Sequence, residues 1–371
     1  MKVLITGSNG FIAKNLKLFL KERSDINIFT FSKENDISEL RRIVNEVNFI
    51  FHLAGVNRTE KKEDFIEGNE ELTQELCNAI KKTNRKIPLI YSSSIQSKLD
   101  NPYGISKNNT ENIISIFSED YKNPVFIFRL PNVFGKWCKP NYNSVIATFC
   151  YNIIRDIPIT INNSEVILNL VYIDDVIKAF IKVMDNPKTT TQIKSYKSVK
   201  QLYQITVGNL AKQLYAFKQM RNSNILERVG KDLIRALYST YVSYLPEQQF
   251  SYPIKSYNDS RGIFMEMLKT PDCGQFSCFT VLPNITRGNH YHHSKTEKFL
   301  VIKGHACFKF FQLDTSKTYE LIVNSDKPEI VESIPGWAHS ITNIGKEEMT
   351  VMLWSNEIFD HSNPDTFRSK T

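Results

Sequence analysis

The spacing of apolar and polar positions changes character once along this chain. Over the first two thirds, short apolar and β-branched runs alternate with stretches of helical spacing. Lys2 to Thr6 reads as a strand, Gly7 as a turn, and Phe11 to Leu20 as a helix with Leu16, Phe19 and Leu20 on one side. Further strands are predicted at Ile26 to Phe31, Phe49 to Leu53 and Leu89 to Tyr91, the last led in by Pro88 and stopping at Ser92, Ser93 and Ser94. Asn101, Pro102 and Tyr103 then open a helix that carries Lys107. Asn186 to Lys200 is polar, rich in Lys and Thr, and reads as a connecting segment. From Phe250 onward the helical period disappears. β-like runs recur at Gln275 to Leu282, Phe299 to Ile302, Ala306 to Gln312, Tyr319 to Val323 and Thr350 to Trp354. The pattern predicts an α/β parallel-sheet domain over residues 1–245 and an all-β sandwich or barrel over 246–371, with the boundary near Pro246 to Tyr252.

Composition narrows the class. A length of 371 residues exceeds what one core supports and fits two or three domains. No run approaches eighteen consecutive apolar residues, so no membrane span is expected. Met1 leads straight into the first strand, and a cytoplasmic location is expected. The six cysteines lack any CxxC spacing and are expected to be reduced thiols. The net charge of +8 is spread among 39 acidic residues and not gathered in a tract, which argues against a nucleic-acid partner. A diffuse positive field does suit small anionic ligands.

Three features of the first domain carry candidate chemistry. GSNGFIA, residues 7–13, places Gly7, Gly10 and Ala13 at three-residue spacing between strand and helix. That arrangement gives a tight turn, a close backbone approach to a pyrophosphate and close helix packing, although an ordinary βα turn could carry the same residues. The second strand ends in Ser32 and Lys33 and not in an acidic residue that would hold a ribose 2′-hydroxyl, so NADPH is favoured over NADH, unless Lys33 is merely a surface lysine. Ala54, Gly55, Val56 and Asn57 follow the third strand as small or polar residues fit to lie against a cofactor; His52 reads as a packed strand residue. Tyr103 and Lys107, four apart, share a helix face. An adjacent ammonium favours the phenolate and so lowers the phenol's pKa, making Tyr103 a workable proton donor to a carbonyl that receives hydride. Alone, such a pair is an ordinary solvated face; the serine cluster and the glycine turn ahead of it change that reading.

GSNGFIA, HLAG (52–55), SSS (92–94) and YGISK (103–107), in this order, resemble the extended short-chain dehydrogenase/reductases that act on nucleotide sugars, over roughly residues 1–245. The resemblance implies Ser94 as the carbonyl-orienting serine, with Ser93 a close rival, Tyr103 as proton donor, and Lys107 as its modulator and a cofactor contact. It also implies cofactor contacts at Gly7, Gly10, Phe11 and Ile12, at Lys33, and at Leu53, Ala54 and Gly55. FRLPNVFG (128–135) resembles a strand and loop in which Asn132 approaches the sugar or its diphosphate, and LVYIDDV (170–176) a substrate-side strand and turn.

In the second domain, His290, His292 and His293 stand together, with Glu297 and His339 further on. His290 and His292 share a strand face, and Glu297 and His339 could close a four-ligand nitrogen and oxygen site of the kind used by zinc and other divalent metals. Hydrogen-bonded histidines at a polar strand edge are the alternative. GNHYHHSKTEKFLVIKG (288–304) followed by PGWAHSITN (335–343) resembles the two motifs of the cupin superfamily, a jelly-roll fold, and implies His290, Glu297 and His339 as ligands with His292 as the fourth. DSRGIFMEM (259–267) and RGNHYH (287–292) also resemble cupin epimerases of 4-keto-6-deoxy sugar nucleotides, which generally lack the full metal set. His293, Lys298 and Tyr291 are candidates for the acid and base. Through GKWCKPNYNSVIATFCY (135–151), YSTYVSYLP (238–246) and WSNEIFD (354–360), the whole chain resembles bifunctional capsular-polysaccharide enzymes. These invert C3 of a UDP-2-acetamido-2,6-dideoxy-4-hexulose and then reduce C4, giving the L-talose sugar on the UDP-N-acetyl-L-fucosamine route. That likeness implies NADPH, zinc, a UDP-sugar substrate and a homodimer. The competing expectations are a reductase with a structural or regulatory cupin domain and a non-enzymatic sugar-nucleotide sensor.

Overall fold

A strand buried on both faces needs a continuous apolar run, and Leu4 (β1, Lys2–Thr6), Ile50 (β3, Phe49–His52), Leu89 (β4, Leu89–Ser94) and Val125 (β5, Val125–Leu130) are all fully buried in one parallel sheet. In the computed structural model, residues 1–59, 61–187, 194–313, 316–335, 337–362 and 364–369 are described. The chain divides into two units, Met1–Leu214 with Asp232–Leu245, and Tyr215–Lys231 with Pro246–Thr371.

The first unit's sheet also contains β2 (Asn27–Phe31), and its spatial order is β2-β1-β3-β4-β5 with a sixth parallel strand, Lys194–Lys197, beyond β5. This is the Rossmann-type order expected from the sequence. Helices α1 (Phe11–Lys21), α2 (Ile37–Val44), α3 (Lys62–Phe65), α4 (Leu72–Lys82) and α5 (Pro102–Tyr121) make the crossovers. Between α3 and α4 the backbone winds as a π-helix, Ile66–Glu71. Leu76 and Ile80 of α4 and Ile114 and Phe117 of α5 bury their apolar stripe in the core that contains Leu4, Ile50 and Leu89. A smaller sheet sets β6 (Asn132–Phe134) parallel to β7 (Ile167–Tyr172), with Tyr203–Thr206 antiparallel beyond it. α6 (Val145–Ile154) and α7 (Ile173–Asp185) flank this region.

Two expectations change here. The Leu89 strand does not stop at Ser92 but runs through Ser94, because Ser92, Ser93 and Ser94 pair with Phe128, Arg129 and Leu130 and the Ser93 hydroxyl finds a buried partner. The segment from Asn186 to Lys200 is more than a connection, since it supplies β8 (Lys194–Lys197) at the sheet edge; its residues 188–193 lie outside the described residues. The remaining elements of this part are β9 (Tyr203–Thr206), α8 (Val207–Ser223) and α9 (Asp232–Val242).

From Pro246 onward the second unit is all-β beyond a short 3-10 turn at Glu247–Gln249, as the lost helical period predicts; its Tyr215–Lys231 segment begins with the end of α8. Its strands are β10 (Ser256–Asp259), β11 (Gly262–Thr270), β12 (Gly274–Val281), β13 (Thr286–Tyr291), β14 (Glu297–Lys303), β15 (His305–Gln312), β16 (Thr318–Asn324), β17 (Ile330–Glu332), β18 (Trp337–Asn343), β19 (Met349–Ser355) and β20 (Phe367–Arg368). They form two antiparallel sheets, β10-β11-β12-β19-β14-β17 and β16-β15-β18-β13-β20. Phe279, Val301 and Val351 from one sheet meet Phe308, Val323 and Ile341 from the other in a shared core. Among the described residues, no helix is long and apolar enough to cross a membrane.

Candidate functional site

The strand order of the first unit reverses between β1 and β3, the place where open α/β sheets bind ligands beyond the strand ends. Gly7 sits there with φ +64°, and a Cβ on it would come within 2.6 Å of the Ala54 backbone. Only glycine lets the two strand ends close up. Gly10 caps α1 without a side-chain hydrogen bond, so the first turn presents its backbone N–H groups outward. Gly10, Phe11, Ile12, Leu53 and Gly55 line the cleft that opens here; Gly7 and Ala54 form the turn beneath it. Lys33 is exposed just past β2 and does not line the cleft.

His52 is fully enclosed and held neutral, its pKa pushed down to about 3 by burial and by the Lys107 charge. Thr73 Oγ1 donates to the Asn69 carbonyl, so it accepts from His52 Nε2; His52 Nδ1 then accepts from Thr6 Oγ1, which itself accepts from the Ala54 N–H. Such a chain is structural, as a packed strand histidine should be. It ties the switch point to Asn69, whose side chain receives the Val56 N–H at 2.7 Å and donates to Ser106 Oγ at 2.9 Å.

α5 begins as the sequence predicts. Asn101 Oδ1 accepts the Gly104 N–H at 2.8 Å, and Pro102 fills the first helical position. Gly104 is required because any Cβ there would strike the Gln96 carbonyl at 2.3 Å, and this close approach sets the Ser94 to Gln96 turn against Tyr103. Ser94, Tyr103 and Lys107 thus share one wall of the cleft. The two rival serines both line the cleft and differ in their partners. Ser93 Oγ donates to buried Glu111, which also takes a bidentate pair from Arg129, whereas Ser94 neighbours the Tyr103 phenol.

The expected lowering of the Tyr103 pKa is not found. Burial pushes the phenol up to about 12, partly offset by the Ser94 hydroxyl, because the Lys107 ammonium is turned to the Ser92 carbonyl at 3.1 Å and lies 5.9 Å from the phenol ring centre. The phenol therefore keeps its proton at neutral pH. Lys107 is fully enclosed, and burial pulls its pKa down to about 8 against the pull of Glu111.

The cleft has a volume of about 1510 Å³. Lys14, Arg58, Lys107, Lys139 and Arg155 line it and, among the described residues, no Asp or Glu does, a lining that favours anions. Asn132 also lines it. Sequence reasoning missed Arg58 and Arg155. Arg58 donates to the Tyr142 carbonyl at 2.7 Å while Tyr142 donates back to the Arg58 carbonyl, joining two loops of the cleft wall. Arg155 lies 3.9 Å from the Tyr151 ring centre and donates to the Tyr244 carbonyl. Arg58 follows directly on HLAGVN and could have been found by extending that loop; Arg155 carries no local signal.

In the second unit, β13 and β18 set His290 opposite His339, and β14 brings in Glu297. One ligand atom from each of His290, His292, Glu297 and His339 lies within 4.8 Å of every other. Nε2 of His292 and of His339 each stand 3.2 Å from Glu297 Oε2, and that of His290 stands at 4.0 Å. Buried His290 Nε2 and both ring nitrogens of His339 lack a hydrogen-bond partner, so these rings converge on a point without bonding each other. The three imidazoles hold the Glu297 carboxyl well below the usual range despite its burial, and burial lowers the pKa of His339. Unpartnered nitrogens around an ionised carboxylate fit a divalent cation.

His293 and Tyr291 pack on exposed Phe367, and Lys298 lies on the outward face of β14, paired with Glu332. Lys295, which sequence reasoning missed, is buried with Nζ 3.5 Å from Glu297 Oε1. Asn343 is structural, bonding the Val281 and Glu347 carbonyls; Gly336 of the second motif lies outside the described residues.

Residues 3–197 match the NAD dependent epimerase/dehydratase family, and residues 257–367 the polysaccharide biosynthesis C-terminal domain. A UDP-2-acetamido-2,6-beta-L-arabino-hexul-4-ose reductase of Pseudomonas aeruginosa is 56% identical over 367 residues, 99% of this chain and 98% of its own. The crystal structure of the capsular polysaccharide assembling protein CapF from Staphylococcus aureus is 41% identical, covers both chains fully and superposes with a TM-score of 0.93. A UDP-glucuronic acid 4-epimerase from Bacillus cereus in complex with NAD, 17% identical over 66% of this chain and 96% of its own with a TM-score of 0.56, shares the fold of the first part.

Proposed function

The chain belongs to the NAD dependent epimerase/dehydratase family, and from that premise we propose that it is a bifunctional nucleotide-sugar enzyme of capsule synthesis. Its substrate is a UDP-2-acetamido-2,6-dideoxy-4-hexulose, inverted at C3 in the β domain (246–371) and reduced at C4 in the Rossmann domain (1–245), giving UDP-2-acetamido-2,6-dideoxy-L-talose. The observation that carries the reductase half is the end-to-end identity with a 4-ulose reductase.

The nicotinamide cofactor, when bound, supplies the hydride to the keto carbon. Ser94 donates a hydrogen bond to the keto oxygen, and Tyr103 gives that oxygen its proton, which its high pKa ensures it still holds. Lys107 balances the charge left on the phenolate. NADPH is the preferred cofactor, because Ser32 and Lys33 follow β2 where a carboxylate would refuse a 2′-phosphate. The cationic lining of the cleft suits the diphosphates of both ligands.

A ketone at C4 acidifies the hydrogen at C3, and inversion there proceeds by loss and return of that proton on opposite faces. His290, His292, Glu297 and His339 would hold a divalent metal, zinc by donor set, which supplies Lewis acidity toward the developing enolate.

Incubation with the 4-keto sugar in D₂O without NADPH, paired with a separate NADPH-oxidation assay on the same sugar, tests both halves. Deuterium entering at C3 is expected. NADPH oxidation with no exchange leaves a reductase carrying a structural β domain, and neither signal leaves a binding protein.

A further inference from the structure

The last described strand of the second unit runs beside the histidine cluster. β20 pairs His290 with Arg368 and Tyr291 with Phe367, and Asp365 stands just ahead of it. Its Oδ1 accepts the His293 N–H at 2.9 Å, and its Oδ2 accepts the N–H groups of Ser294 and Lys295 at 2.8 Å and the Ser294 hydroxyl at 3.0 Å. One carboxylate thereby fixes the loop that joins His292 to Glu297. The Asp365 carbonyl does a second thing, because it takes the N–H of His292 Nδ1 at 2.5 Å.

That bond sets the tautomer. With Nδ1 given to the Asp365 carbonyl, His292 turns Nε2 toward Glu297 Oε2, 3.2 Å away. Thr366 extends the effect: its hydroxyl accepts from Lys295 Nζ at 3.2 Å, and Lys295 occupies the other carboxylate oxygen of Glu297. The same short segment therefore orients His292 and leaves Glu297 one oxygen for the cluster.

Resting on the metal-binding reading above, we infer that Asp365 is the positioning residue of the metal centre, presetting His292 and the 293–295 loop so that four donors converge before any ion arrives. Partners that orient ligands typically weaken metal affinity about 10- to 100-fold when removed.

The test uses the full-length protein, Zn²⁺ in competition with a chromophoric chelator, and the electronic spectrum of the Co²⁺-loaded form. Asp365→Asn is expected to lower zinc affinity about 10- to 100-fold and to change the Co²⁺ band intensities, a change of ligand geometry that a purely structural role would not produce. Ser294→Ala, which removes one of the four donors to Asp365, is expected to lower affinity less. Wild-type affinity and spectrum in Asp365→Asn overturn the inference; if that variant does not fold, wild-type affinity in Ser294→Ala does. Zinc uptake by the wild type is measured first, and its absence overturns the metal reading itself.

Discussion

Ser93 Oγ donates to Glu111 Oε1 at 2.5 Å, away from the phenol that its neighbour Ser94 adjoins. Both serines line the cleft, but Ser93 is tied to Glu111 while Ser94 is left beside the phenol. Ser94→Ala is expected to lower kcat about 100-fold or more by removing a donor to the reacting oxygen. Ser93→Ala should leave kcat within a few-fold and cost roughly 1–3 kcal/mol of stability, because the buried carboxylate loses a donor. Comparing kcat and denaturant midpoints of the two variants checks this; equal losses of kcat would sink the distinction.

Lys107 gives the reductase a basic limit. Its charge is present below about pH 8 and lost above, whereas Tyr103 holds its proton to about 12, so reduction should fall as pH rises through about 8. The stability sign is the reverse. Between about 8 and the ordinary lysine value of 10.5, the unfolded chain binds a proton that the folded site refuses, and stability rises with pH by about 3 kcal/mol. Lys107→Met is therefore expected to abolish reduction while melting no lower than wild type at pH 7. A loss of several degrees in that variant would contradict the sign.

How much of this was legible in the sequence depends on range. Gly7, Asn101-Pro102 and the Tyr103 and Lys107 pair are local devices, each fixed by turn or helix geometry within a few residues, and they stand where the spacing puts them. β12, β14, β15, β16 and β19 were legible as short apolar runs between turn residues, whereas β17, β18 and β20 were not read as strands. The partner of Ser93 was not, since Glu111 lies eighteen residues away on a helix and declares itself only through Arg129 on the neighbouring strand. Lys295 and Asp365 escaped for the same reason: seventy residues separate them, and no period links a loop to a tail.

Arg155 was also invisible in sequence, and it supplies a cation to a cleft that no carboxylate lines among the described residues. Arg155→Met should raise KM for the UDP-sugar about 10- to 100-fold, the usual value of a hydrogen bond to a charged group, with kcat little changed. Steady-state kinetics decide it; a fall in kcat at constant KM would place Arg155 at the chemistry instead.

Removal of the metal separates the two proposed activities. Zinc at a hundred times its dissociation constant would add about 2.7 kcal/mol to the folded β domain, because His290, His292, Glu297 and His339 converge only when it is folded. A chelator should therefore lower the melting temperature of that domain and abolish deuterium exchange at C3. The Ser94, Tyr103 and Lys107 wall belongs to the other unit and contains no metal-binding donor set, so NADPH oxidation with a ketone already inverted at C3 should persist. Differential scanning calorimetry and the two assays, run with and without chelator, check all three outcomes. Equal loss of exchange and reduction would mean that the four donors serve the whole protein's folding and not a separate inversion step.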